Sequence, residues 1–141
     1  MGHGCWSTPA GQDTVLRLKT IHDAVVELIA EHAPDAVALE ESYVGADARI
    51  ALSVGQARGV VLLAAGQRGV PSRSYTPQQV KGAVCGHGRA EKDQVARMVA
   101  RLLGLPTPPT PDHAADALAV AICDVNRAPL AQALQNAGMP R

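Results

Sequence analysis

Aromatic side chains are almost missing from this chain. Its 141 residues include one Trp, two Tyr and no Phe, an aromatic content of 2%. That excludes a core built on large rings, so Ala, Val, Leu and Ile must fill the interior. Net charge is missing as well, since 13 Lys and Arg offset 13 Asp and Glu. No overall field draws in a polyanion, and a nucleic-acid surface would have to come from local clustering of cations. Cysteine is scarce and odd in number: Cys5, Cys85 and Cys123 are far apart. This argues against a disulfide framework and for a reducing compartment. No apolar run is expected to reach the length that spans a bilayer, and the start has no charged-then-apolar leader pattern. A soluble, cytoplasmic protein is the expectation. The length suits one domain, residues 1–141, around a single core.

What is present is organised around Thr110–Ile122. Pro106, Pro108, Pro109 and Pro111 stop whatever precedes this stretch, and Asp112 is placed to cap the free N–H groups of a new helix. His113 and Asp116, three apart, share one face of its first turn, with Val120 and Cys123 below them. Such a polar pair heading an apolar helix has two readings. It is either a first turn favoured by the helix dipole, or part of a metal site completed by a carboxylate from elsewhere.

Upstream, residues 1–11 are rich in Gly with a short Cys5-Trp6-Ser7 piece that suits a strand. Asp13 or Thr14 opens a helix whose Val15, Leu18, Ile21, Val25, Leu28 and Ile29 form one apolar stripe, ending at Pro34. Ala36–Glu40 is short and continuously apolar, as in a buried parallel strand covered on both faces. Glu40 ends it, at the strand end where α/β sheets bind ligands, and Glu41 points the opposite way. A second long helix is expected from Ala46 to Gln67, its small residues, with Gly55 and Gly59 on one face, permitting close packing. Val70–Tyr75 is a second strand. Thr76-Pro77 opens a helix with Gln79, Val80 and Lys81. Cys85-Gly86-His87-Gly88-Arg89 follows as a glycine loop, in which a zinc site lacks a second ligand pair. Ala90–Asp93 starts a helix with Val95, Met98, Val99, Leu102 and Leu103 inward. Lys81, Arg89 and Lys92 flank the loop. They form either a phosphate clamp or ordinary solvated helix charge. Pro129 is expected to break the chain before a short helix over 130–136, with residues 127–141 a flexible tail.

In this order, Pro34–Tyr43, Gly55-Gln56-Ala57-Arg58-Gly59-Val60, Gln79-Val80-Lys81, Gly86-His87-Gly88, Ala90-Glu91-Lys92 and Asp112–Val125 resemble the RuvC family of Holliday-junction resolvases. The resemblance runs from about Gly4 to Val125. It implies an α/β RNase H-like fold, a mixed sheet flanked by helices, and a metal-dependent endodeoxyribonuclease that nicks four-way DNA junctions in recombination and repair. It also implies a site of Glu40, His113 and Asp116 holding Mg²⁺, two ions per site, with Mn²⁺ an option. Tyr43, Lys81, Arg89 and Lys92 are the implied DNA contacts, the ring of Tyr43 stacking at the junction point. A homodimer through the second long helix and the RuvA–RuvB branch-migration complex are the implied partners. The family's opening strand carries a further catalytic Asp with no counterpart in these 141 residues. Residues 1–11 are accordingly expected as the remnant of a third strand, with the central first strand outside the sequence. That leaves a non-catalytic junction-binding or dimerisation remnant as the alternative function.

Overall fold

The computed structural model describes residues 2–41 and 47–136, and for 130–136 the backbone alone. Two compact units make up the chain: Trp6–Ser74, and Met1–Cys5 together with Tyr75–Arg141.

The Trp6–Ser74 unit begins without regular structure, and residues 2–9 form no strand. Cys5-Trp6-Ser7 is thus not the expected remnant of a third strand: among the described residues the sheet has two strands, both further along the chain. Helix α1 covers Thr14–His32. The Asp13 carboxylate caps it by accepting from the Val15 N–H at 2.7 Å, and Ala33 ends it in the left-handed conformation. Strand β1 is Val37–Glu40, helix α2 is Ala48–Gln67 and strand β2 begins at Ser72 and ends at Tyr75. Val37, the first residue of β1, donates to the carbonyl of Pro71 just ahead of β2, at 2.8 Å. Both strands therefore start side by side and run the same way, joined by the helical crossover that parallel pairing requires. The strand expected to be fully covered is only half-buried at Val37, Ala38 and Leu39, since a two-stranded sheet leaves edges on both sides.

Helix α2 starts on an Asp47 cap, whose carboxylate accepts from the N–H groups of Arg49 and Ile50. It packs on α1 and buries Ala64 and Ala65, not the Gly55–Gly59 face. Nothing among the described residues lies within 4 Å of a Cβ placed at Gly55 or Gly59. Ile50 and Leu52 are 63% and 64% exposed. The helix is also long and apolar enough, by length and composition, to cross a membrane, contrary to the expectation that no run reaches that length. Arg49, Gly55 and Arg58 interrupt the sequence, but alanines and branched residues keep its average apolar. The stripe on α1 is narrower than its periodicity implies: Ile29 is buried while Val15 and Leu28 are exposed, because α2 covers one side only.

In the other unit, helix α3 is Pro77–Cys85, α4 is Lys92–Leu103 and α5 is Asp112–Asn136, and each packs on the other two. Thr76 and Gln79 form a reciprocal capping box with Pro77 in the first turn, which fixes the start of α3. Val80 and Val84 from α3, Val95 and Val99 from α4, and Ala114, Ala115, Leu118, Ala119, Val120 and Cys123 from α5 are buried together. The alanines of α5 let three helices approach closely without rings. Leu102, expected inward, is exposed; Ala100 takes the buried position instead. Tyr75, itself buried, donates its hydroxyl to the Asp124 carboxylate at 2.7 Å. Pro129 does not break α5, which continues through it to Asn136. The expected break and the flexible tail from 127 thus give way to helix as far as 136. A proline costs a helix one N–H, and the turns on both sides hold.

Candidate metal and nucleic-acid site

The acidic end of the helical unit is built on the start of α5. The helix begins at Asp112, one residue earlier than a capping Asp112 would allow, so Asp112 is a first-turn residue. The Ala114 N–H is taken by the carbonyl of Pro111 at 2.8 Å. His113 is exposed and Asp116 half-buried, one turn further in, while Ala114 and Ala115 between them face the core. Helical spacing thus brings three polar side chains to one end of a helix whose remaining surface is packed.

Lys92, the first residue of α4, reaches this end. Its ammonium lies 3.4 Å from Asp116 Oδ2 and 3.6 Å from Asp112 Oδ2. The hydrogen bond to Asp116 and its charge, with a smaller share from Asp112, hold the lysine above its ordinary value of 10.5. The residue pattern alone points Lys92 at phosphate; in the free protein it rests on carboxylates. The signal available was a cation opening one helix and two carboxylates opening the next, without the tertiary distance between them.

The two other cations expected at DNA lie on α3 and in the loop after it. Lys81, on α3, is half-buried, and its charge acts on Cys85 one turn later. Arg89 is exposed in the loop after α3. Both glycines of that loop have a reason within the fold. Gly86 caps α3 in the left-handed conformation, and a Cβ on Gly88 would fall 2.5 Å from Cγ of Gln78. His87 contacts the Gln94 side chain at 3.4 Å.

In the strand-containing unit, Glu40 is exposed at the carboxyl end of β1. Its backbone carbonyl accepts from the Arg58 guanidinium of α2 at 2.7 Å, and the same guanidinium donates to the Ser74 hydroxyl on β2. Tyr43 lies outside the described residues. Among the described residues, no three His, Cys, Asp or Glu side chains gather as a metal-holding group. The donor chemistry still fits a hard divalent ion. Carboxylate oxygens and one imidazole are suitable ligands, and the Lys92 ammonium already provides positive charge against two of those carboxylates.

The model of the RuvC family, described as crossover junction endodeoxyribonuclease RuvC, matches residues 1–124. The crossover junction endodeoxyribonuclease RuvC of Moorella thermoacetica is 52% identical over 130 residues, covering 92% of this chain and 78% of that protein. Its counterpart in Desulfitobacterium hafniense is 51% identical over 121 residues, covering 86% and 73%. Among solved structures, Thermus thermophilus RuvC superposes with a TM-score of 0.82 at 41% identity, covering 89% of this chain and 76% of that one. T. thermophilus RuvC in complex with Holliday junction substrate gives 0.81 at 38% identity, with the same coverage. The fold is thus the α/β RNase H-like one, helices flanking a small parallel sheet. The chain belongs to the RuvC family of crossover junction endodeoxyribonucleases.

Proposed function

We propose that residues 1–141 act as one RuvC-like nuclease domain, a Holliday-junction resolvase that nicks four-way DNA in recombination and repair. The observation that carries the site is the acidic start of α5, where the Lys92 ammonium lies against Asp116 and Asp112 on the turn that also bears His113. Glu40, His113 and Asp116 are the metal-binding set, Mg²⁺ first and Mn²⁺ second, with two ions per site. When bound, such ions lower the pKa of a water and stabilise charge on the leaving oxygen. Lys81, Arg89, Lys92 and Tyr43 are the DNA contacts, the cations neutralising phosphates and the ring stacking on a base. A homodimer suits a junction with two equivalent strands to cut. The exposed α2 face around Leu52, Gly55, Gly59 and Leu63 supports that assembly, with the RuvA–RuvB complex as a further partner and the cytoplasm as the setting.

The test is Mg²⁺-dependent cutting of a labelled four-way junction by the wild type, Glu40→Gln and Asp116→Asn. Both variants should lose cutting by about a hundredfold or more while still binding the junction, the scale at which charge-stabilising groups act. Undiminished cutting by either variant removes that residue from the site. A wild type that binds the junction and leaves it intact would be a junction-binding module.

A further inference from the structure

Arg58 has no role in the site as read from residue types, yet it touches both strands at the end where Glu40 sits. From a half-buried position on α2, Nη1 donates to the backbone carbonyl of Glu40 at 2.7 Å, and Nη2 donates to the hydroxyl of Ser74. Glu40 is the last residue of β1 and Ser74 the last but one of β2. Two strands of four residues pair weakly by themselves. A planar guanidinium with donors in a fixed fork sets the spacing between their ends, which a lysine with its single charged point would not do. The Glu40 carbonyl shares a Cα with the Glu40 side chain, so anchoring it also sets the direction in which the carboxylate leaves the strand.

We infer that Arg58 is a positioning residue for Glu40, holding the end of β1 so that the carboxylate is presented ready to take a metal ion. The inference rests on Glu40 being a metal ligand, as proposed above. Outer partners of metal ligands typically change affinity by about 10- to 100-fold. Mn²⁺ is the probe, with free ion followed by electron paramagnetic resonance in titrations of the full chain. Arg58→Ala should weaken Mn²⁺ binding by about tenfold, and Arg58→Lys, keeping the charge and losing the planar fork, should fall between it and the wild type. Millimolar methylguanidinium should restore affinity to Arg58→Ala and do nothing for Glu40→Gln. If Glu40→Gln is weakened and Arg58→Ala binds like the wild type, the role given to Arg58 is wrong while that of Glu40 stands. If Glu40→Gln itself binds like the wild type, Glu40 is no ligand and the inference fails with it. An Arg58→Ala loss that neither methylguanidinium nor lysine recovers, together with a lowered melting temperature, would mean general destabilisation and also overturns it.

Discussion

Replacing Lys92 with Gln keeps most of the side-chain length and deletes the charge, and the structure predicts two opposite consequences. In the free protein the ammonium lies against Asp116 and Asp112, at 3.4 and 3.6 Å. A divalent ion arriving at Asp116 must displace it, and a DNA phosphate can then receive it. Without the lysine, the ion meets no competitor. The pair is exposed on both sides, and such pairs are weak, so Mn²⁺ affinity should rise by about two- to fivefold. On DNA, the variant loses one neutralised phosphate, which reduces the slope of log affinity against log salt by about 0.9. Between 50 and 200 mM salt, the variant should lose roughly three- to fourfold less affinity than the wild type. Anisotropy of a labelled four-way junction at several salt concentrations measures the second effect, and the Mn²⁺ titration measures the first. Lys19, which pairs with Asp23 four residues later on α1, is the control, and Lys19→Gln should change neither. Unchanged salt slope and unchanged Mn²⁺ affinity in Lys92→Gln, or equal changes in Lys19→Gln, would refute the reasoning.

Two stability predictions follow from the helical unit. Val99 has no exposed surface, so Val99→Ala removes two methyl-sized groups from a site closed on all sides and should cost about 2 kcal/mol, read as a lower urea midpoint at constant slope. Cys123 is equally covered, and burial raises its thiol above the ordinary 9.0. Because the unfolded thiol ionises first, this contribution to stability is complete below about pH 9 and is lost as pH rises through the folded value. The reactive species is the thiolate, so iodoacetamide at about pH 8 should label exposed Cys5 well before Cys123, which mass spectrometry of timed samples would show.

Element positions were legible because their signals are local. Asp47, Thr76 with Gln79, and Gly104 set helix ends through bonds made within a few residues, and every expected helix from α1 to α4 formed close to its expected bounds. How far each apolar stripe is covered was not legible. Periodicity says that Val15 and Leu28 share a face with Ile29 but not how wide a neighbour lies on it. On α4, the same limit exchanged Leu102 for Ala100. The site divided similarly. Helical spacing put His113 and Asp116 together without difficulty, whereas Lys92 on Asp116 and Arg58 on Glu40 join residues 24 and 18 positions apart. No local rule reaches across such separations. Pro129 shows the converse, a strong local signal overridden by a helix already built on either side.

Gly88 carries a consequence for how this sequence can change. The side chain it lacks would occupy the space held by Gln78, whose backbone oxygen would also stand 3.3 Å from the added carbon. Gln78 is exposed, so its side chain can turn aside, but its backbone oxygen belongs to the capped first turn of α3 and is held there. A larger residue at position 88 is therefore opposed from inside the protein by the first turn of α3. A glycine kept there in descendants of this chain has a sufficient cause in the neighbourhood of α3, before any substrate is considered.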